Sequence, residues 1–351
     1  MSFASEHSDM LAQTVTSQFL QMDRSGLLDT ESKRFAQGEW PDKLWEQIDE
    51  NGLASVLLPE TQGGYGGGWE EAFIVLFLAG AHSIPLPIAE TLLGRKLLSR
   101  ADVEVPRGPL ALAFMQAGHA SGVRWAAVAD HLVVVQPDGA RFRMALVSRK
   151  DVTLTDAGHS IAHEPIAHVN FDRAPLLAAG AVDEDPFALG ALARVALMAG
   201  VLSSALQQSV TYSTERIQFG KPIGKFQVIQ HALASLASET AAVSCAALAA
   251  CRAVDRGGGE FEIGAAKLRA NRAVQAATSI AHQVHGAIGF TEECRLHRAT
   301  QRLWAWRSEY GNDRYWAARL ADLAIRRGPR ELWAYLTALS DPALESAPQQ
   351  G

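Results

Sequence analysis

Arg216 stands in the run Glu215, Arg216, Ile217, Gln218, Phe219, Gly220, Lys221, Pro222. A second run, Gln283, Val284, His285, Gly286, Ala287, Ile288, Gly289, Phe290, Thr291, again mixes an amide, a histidine and glycines. A planar guanidinium, N–H donors and glycines that let the main chain come close can together hold an anionic group. Arg216 offers the guanidinium, Gly286 and Gly289 the close approach, and Gln283 amide contacts. Phe219 offers apolar surface, and Gln218 and Gln227 offer further amides. Taken singly, these features have plainer readings. Glu215 and Arg216 make a surface ion pair at a helix end, and Phe219 with Gly220 a helix cap with its apolar anchor. His285 reads as a structural, backbone-bound histidine. His159, His163 and His168 fall in a loop and a strand without a carboxylate or thiol framework, which argues against a metal site. Glu292 and Glu293 read as a solvated helix start.

Elements that can position these runs are legible in the periodicity. Residues up to about 102 read as helices: Trp40, Pro41 and Asp42 open one, with Pro41 at an early helical position, and Leu44, Trp45, Ile48 and Leu53 follow at helical spacing. Gly52 ends that helix. Gly63, Gly64, Tyr65, Gly66, Gly67 and Gly68 read by composition as a flexible loop, and a further helix runs from Trp69 to about Ala81. From about Gly108 to Asp172 the pattern changes to short β-rich runs around Trp125 and Val128, from His131 to Val135, Phe142 to Val147, Val152 to Leu154 and His168 to Phe171. Pro137, Asp138 and Gly139 mark a hairpin turn. Leu176 to Asp185 reads as an exit linker. Long Ala-rich helices are predicted over Leu189–Thr214, Gln227–Val254 and Ile263–His285, with shorter ones starting near Leu296 and Asp313. The expected division is 1–107, a helical domain; 108–185, a small β domain; 186–340, a helical bundle; and 341–351, a frayed tail.

Bulk composition narrows the function class. The formal net charge is -6, so no basic surplus favours a nucleic-acid partner. Three cysteines without a CxxC pair fit reduced thiols in a cytosol. Glu6, Asp9 and Asp23 break up the N-terminus, so no export signal is expected. Apolar stretches such as Ala72 to Ala81 are too short to span a bilayer. A cytoplasmic protein without membrane spans is expected.

Helices, a small β domain and a helical bundle, together with three motifs, resemble the acyl-CoA dehydrogenase family. Leu44 through Gly68 looks like the family's N-terminal helix and loop that approaches the acyl chain. Tyr212 through Gln227 is similar to its turn between the first two bundle helices, and Gln283 through Thr291 to its glycine-rich turn after the third. The resemblance implies a mainly α fold with an inserted β domain and a C-terminal antiparallel four-helix bundle. It implies FAD as cofactor, with Arg216, Gln218, Phe219, Gln227, Gln283, His285 and Gly286 touching a flavin held mainly by a neighbouring subunit. It further implies an acyl-CoA substrate, α,β-desaturation, an electron-transfer acceptor and an oligomer.

Departures from the family pattern sharpen that expectation. The family's base is a glutamate followed by glycine, and alignment places Tyr310 there, before Gly311. Glu309 lies one residue earlier; a helical step turns a side chain by roughly 100°, so Glu309 need not point at the substrate, and does so only if the alignment slips or the loop differs. Gly190 to Arg194, an alternative base position, has no acid, although Arg194 is near. Ala113 to Gly118 replaces the family's Thr-Glu-Pro run, and Trp125 to Val128 stands at its Trp-Ile-Thr-Asn run, where Trp125 reads as core. The resulting pattern resembles the short partner in heteromeric acyl-CoA dehydrogenases of steroid side-chain degradation, completed by a longer homologous subunit. The alternatives are a self-sufficient homo-oligomeric dehydrogenase with Glu309 as base, and a flavin-free structural or binding subunit.

Overall fold

The computed structural model describes residues 6–172 and 174–338; the tail expected over 341–351 lies outside them. The chain opens with α1 (Glu6–Arg24), α2 (Leu27–Ala36), α3 (Asp42–Glu50), α4 (Trp69–Ala81) and α5 (Ile88–Arg100). Leu44, Trp45 and Ile48 of α3 are buried, as their spacing demands. The glycine cluster before α4 is a close-packed loop. A Cβ on Gly64 would lie 2.2 Å from the Leu58 carbonyl oxygen, and one on Gly68 would lie 2.8 Å from Asp255 Oδ1. Glycine is used there for close approach, so the flexible-loop expectation fails. Asp255 caps α4 from outside, accepting from the Trp69 and Glu70 N–H groups at 2.7 and 3.0 Å.

Seven strands follow: β1 (Leu110–Phe114), β2 (His119–Arg124), β3 (His131–Asp138), β4 (Arg141–Ser148), β5 (Thr153–His159), β6 (Pro165–Asn170) and β7 (Ala178–Val182). They form one sheet in the order β1-β3-β4-β7 and another in the order β2-β6-β5. Alternation splits the first sheet between two cores. Ala111, Ala113, Leu132, Val134, Ala145 and Val147 face the second sheet, with Trp125 and Val169. Leu110, Leu112, Val133, Val135, Met144 and Leu146 face the helices. Trp125 is therefore core, as expected, but it sits at φ 63 in a turn rather than in a strand. Residues expected to be an exit linker supply β7, paired with β4 from Leu146↔Ala178 to Phe142↔Val182. Its alanines and glycine hid it. Gly180 is needed because a Cβ would meet the Ala101 oxygen at 2.2 Å.

The remainder is helical: α6 (Pro186–Glu215), α7 (Gln227–Asp255), α8 (Glu260–His285), α9 (Leu296–Trp306), α10 (Asp313–Arg327) and α11 (Pro329–Ala338), with a two-stranded ribbon of β8 (Ile217–Gln218) and β9 (Lys221–Pro222) between α6 and α7. Asp185 caps α6, accepting from the Phe187 and Ala188 N–H groups at 3.0 and 3.1 Å, with Pro186 inside the first turn. Helices α6 and α7 are long and apolar enough to cross a membrane, contrary to the expectation that no stretch is. In α6 the reason is burial, since 83% of its most apolar window is inside the protein; in α7 only 28% is, leaving one side of that helix uncovered.

Helices α4 and α6 cross with their backbones touching. A Cβ on Gly80 would meet the Leu197 oxygen at 2.1 Å, and one on Gly200 would meet the Phe77 oxygen at 1.8 Å. Backbone cannot swing away as a side chain can. Gly200→Ala should therefore lower stability by about 1–3 kcal/mol or more, read as a lower urea midpoint with an unchanged m-value.

Candidate functional site

The first candidate site lies where α6 ends. Arg216 turns extended, its N–H still bonded to the Tyr212 carbonyl at 2.9 Å. Phe219 at φ 51 and Gly220 at φ 77 then close the ribbon β8–β9. Two consecutive left-handed residues are what a two-residue hairpin turn needs. They throw Phe219 outward until its ring is 92% exposed. Lys221 Nζ lies 4.3 Å over the Phe226 ring, steadying the ribbon against the start of α7.

Across from this ribbon, α8 ends at His285, and Gly286 at φ 65 turns the chain away. Between them lies a cleft of about 730 Å³. Arg216, Gln218, Phe219, Gln283, His285 and Gly286 all line it, together with Phe226. Six of the seven residues named from the sequence for flavin contact thus converge. Gln227 does not line the cleft; it is exposed at the first turn of α7, between the lining residues Phe226 and Val228. Arg216 forms no ion pair among the described residues, so the expected alternative of a Glu215–Arg216 surface pair is absent from them.

The start of α7 borders the same cleft. Phe226 gives it no side-chain cap, and its first turn carries no acid. A helix start left in that state favours an anion. His285 is held as a structural histidine: its Nδ1 lies 2.8 Å from the Ala281 carbonyl, and its ring stacks on Tyr212 at 4.7 Å. A carbonyl only accepts, so Nδ1 carries the hydrogen and Nε2 is left as an acceptor. Burial lowers the His285 pKa and keeps the ring neutral. His282, one turn earlier, was not singled out in the sequence. Its Nε2 lies 2.9 Å from Thr300 Oγ1, and its ring stacks on Phe290 at 4.1 Å, which fixes the glycine-rich turn.

A guanidinium with no ion pair among the described residues, an uncapped helix start, amides and aromatic walls fit the adenosine and pyrophosphate parts of FAD. The apolar rim reaches further than the cleft needs. Ile217, Val228 and Phe290 are exposed beside Phe219.

The second candidate site is the Glu309 region. Helix α9 stops at Trp306, and Tyr310 at φ 50 with Gly311 at φ 97 bends the chain. No helical step separates Glu309 from Tyr310, and both line one cleft of about 300 Å³, with Glu90, Phe114, Arg124 and Phe187. The loop thus differs from a helical continuation, which is the condition under which Glu309 faces the cleft. Glu309 Oε1 lies 2.7 Å from Arg124 Nη2, and Oε2 lies 2.8 Å from Arg194 Nη2. Neither contact has hydrogen-bond alignment, so the pairing is Coulombic. Arg194 also pairs with Glu90, and both are almost fully buried. Burial raises the Glu309 pKa to about 7, against the pull of Arg194 and Arg124. At Arg194 burial disfavours the charge, but Glu309 and Glu90 outweigh it and its pKa stands above the ordinary arginine value.

Tyr310 forms one wall of the cleft. Its ring sits against Gly190, where a Cβ would come within 2.3 Å of it. Phe114 and Phe187 meet it edge-on at 6.0 and 5.7 Å. Lys267, fully buried on α8, donates to the Trp306 and Arg307 carbonyls, each at 3.1 Å, and to Asn271 Oδ1 at 2.6 Å. Asn271 in turn donates to the Gly311 carbonyl at 3.3 Å, and Trp316 Nε1 to the Tyr310 carbonyl at 2.8 Å. Burial pushes the Lys267 pKa down to about 7.

This cleft is smaller than the one at Arg216 and is lined by charged side chains. Strands β1 and β2 also meet in a tight turn, Gln116 and His119 exchanging backbone hydrogen bonds at 2.8 and 3.0 Å. Nothing from residues 44–68 lines this cleft. The glycine loop instead packs beside α1 and α3, with the Tyr65 hydroxyl on the Asn51 carbonyl at 2.8 Å.

Residues 181–322, which include both candidate sites' bundle residues, match the family described as acyl-CoA dehydrogenase, C-terminal domain. Acyl-CoA dehydrogenase IpdE2 of Mycobacterium tuberculosis is 29% identical over 301 residues, covering 83% of this chain and 89% of that one. IpdE2 of Mycolicibacterium smegmatis is 30% identical over 261 residues, covering 71% and 78%. The solved Tcur3481-Tcur3483 steroid ACAD has the same fold, with a TM-score of 0.77 at 22% identity over 91% of this chain and 97% of that one. The chain belongs to the acyl-CoA dehydrogenase family of oxidoreductases.

Proposed function

We propose that this chain is one subunit of an FAD-dependent acyl-CoA dehydrogenase that introduces an α,β double bond into a bulky, steroid-derived acyl-CoA thioester. The observation that carries the reading is an imbalance within one chain. The cleft at Arg216 is the larger, about 730 Å³, and its guanidinium makes no ion pair among the described residues, while in the cleft of about 300 Å³ at Glu309 the carboxylate faces the chain's own Arg124 and Arg194. The chain therefore completes a flavin site whose other half, with the base, sits on a longer homologous subunit.

Arg216 and the start of α7 hold the pyrophosphate. Phe219 and Phe226 give the adenine an apolar surface, and Gln218 and Gln283 fix its orientation. When bound, FAD supplies the hydride acceptor that α,β-desaturation requires. An electron-transfer acceptor then reoxidises the assembly. The uncovered side of α7 and the exposed Phe219, Ile217 and Val228 give the partner subunit its docking surface. The steroid assignment is supported by the similar fold solved as a steroid ACAD of two components. Three free cysteines support a reducing cytoplasm.

The test is co-expression with each longer homologue encoded nearby. A yellow complex that oxidises a steroid side-chain CoA ester with an artificial electron acceptor is expected. A colourless, inactive product in every pairing would overturn the proposal.

A further inference from the structure

We infer that the cleft enclosed by α2, the turn joining β5 to β6, and α9 is a binding site for a small phosphate monoester. It shares no lining residue with the clefts at Arg216 and Glu309 and stands whatever those two hold.

Arg298 and Arg302 stand one turn apart on α9, and both line this cleft of about 420 Å³. Like charges at that spacing repel. Arg298 also lies in the first turn of α9, where the helix dipole disfavours a cation, and that turn carries no acid. Arg302 is only 4% exposed. Burial and the charge of Arg298 hold its pKa below the ordinary arginine value, against the pull of Glu164. Positive charge is thus concentrated where the fold alone disfavours it, and an anion in the cleft offsets all three penalties.

The donors tell the same story as the charge. A guanidinium carries five N–H groups. Among the described residues, the Arg302 side chain makes one hydrogen bond, from Nη1 to the Arg298 carbonyl at 3.3 Å, and its buried Nε makes none. Glu164 Oε1 stands 3.7 Å from that Nε, and Glu164 Oε2 accepts from Trp306 Nε1 at 3.1 Å. Arg298 repeats the pattern: its Nη1 is 3.8 Å from Asp29, which meets Lys33 at 2.8 Å. Each carboxylate has a nearer partner, so neither guanidinium has a carboxylate oxygen at hydrogen-bond distance. Buried donors are ordinarily satisfied, and an oxyanion between the two arginines supplies the missing acceptors. The one carboxylate that lines the cleft, Glu292, is exposed to water.

Two guanidiniums match a phosphate dianion, with its three terminal oxygens, better than a single carboxylate. The opposite wall is apolar. Pro85 and Ala162 are buried there, and Phe35 is held against Trp125 at 5.7 Å between ring centroids. The volume is that of a small-molecule site and exceeds what a bare phosphate fills. The apolar wall takes the organic part of the ester. Because the lining comes from three separate parts of the chain, the occupant ties them together and stabilises the fold by mass action.

Calorimetric titration and thermal midpoints of the full chain, with phenyl phosphate and inorganic phosphate as probes, test the site. Phenyl phosphate should bind saturably, with a dissociation constant of about 1 mM or below, and raise the midpoint, whereas sodium chloride of equal ionic strength should not. Inorganic phosphate should bind more weakly, since it leaves the apolar wall uncovered. Arg302→Met and Arg298→Gln should each weaken phenyl phosphate about 10-fold or more; Arg298 is half-buried, so its variant decides the matter if Arg302→Met does not fold. Arg216→Ala should keep this binding in full. Absence of saturable binding to wild type, undiminished binding to Arg298→Gln, or loss of binding in Arg216→Ala overturns the inference. Equal affinity for the two phosphates overturns the assignment of a monoester.

Discussion

Arg216→Ala should strip the flavin from the assembled complex while leaving the subunits folded and associated. A charge-assisted contact of this kind is worth about 1.5–3 kcal/mol. Flavin retention should therefore weaken by roughly 10- to 100-fold. The measurement is the ratio of flavin to protein absorbance after dialysis, followed by titration with added FAD. Arg216→Lys should recover only part of the loss, because an ammonium cannot make the planar two-point contact. Phe219→Ala removes apolar surface without charge, and its loss should not depend on salt. That of Arg216→Ala should shrink as salt rises, since screening weakens the wild-type contact as well. If Arg216→Ala binds flavin as wild type does, the cleft beside α7 is not the pyrophosphate site.

Arg194→Met should be the most damaging single substitution for stability. It keeps the side chain's bulk but removes a buried charge that answers both Glu90 and Glu309. Breaking such a cluster costs about 3–5 kcal/mol, because the remaining charges stay buried without compensation. The pH dependence gives the sign. Burial already raises Glu309 from 4.5 to about 7 in the folded chain, and loss of Arg194 raises it further. A carboxyl whose folded pKa is raised favours the folded state below the unfolded pKa, and that advantage is lost as pH rises through the folded one. The penalty of Arg194→Met should therefore be largest above pH 7 and should shrink as pH falls toward 4.5. Urea midpoints at three pH values test this; a penalty independent of pH would place the damage in packing rather than charge.

What could be read from the sequence follows the range of the interactions concerned. The Arg216 cleft was legible because its parts lie in two local runs, each fixed by its own turn. The long bundle helices were legible because their apolar positions recur at helical spacing over many turns. Strand β7 was not, because alanine and glycine carry little strand preference, and its place is set by Gly180 meeting Ala101. The Glu309 cluster was not legible either. Its partners Glu90, Arg124 and Arg194 are contributed by separate elements, and nothing local marks Arg124 or Glu90 as partners of a residue so distant. A helical step was expected between Glu309 and Tyr310. The left-handed backbone at Tyr310 and Gly311 removed it and turned both side chains to one cleft. The glycine loop was misread in the opposite sense: composition suggested freedom where packing uses glycine for closeness.

The ribbon tip has a consequence outside catalysis. Without a covering partner the chain displays Phe219, 92% exposed, together with the exposed Ile217 and Val228. Quality-control chaperones and proteases recognise such surfaces, and an unassembled subunit is cleared faster than an assembled one. If the chain works as one subunit of a complex, as proposed, its cellular amount is set by the supply of the partner, and balanced synthesis of the two chains becomes a requirement of the fold itself.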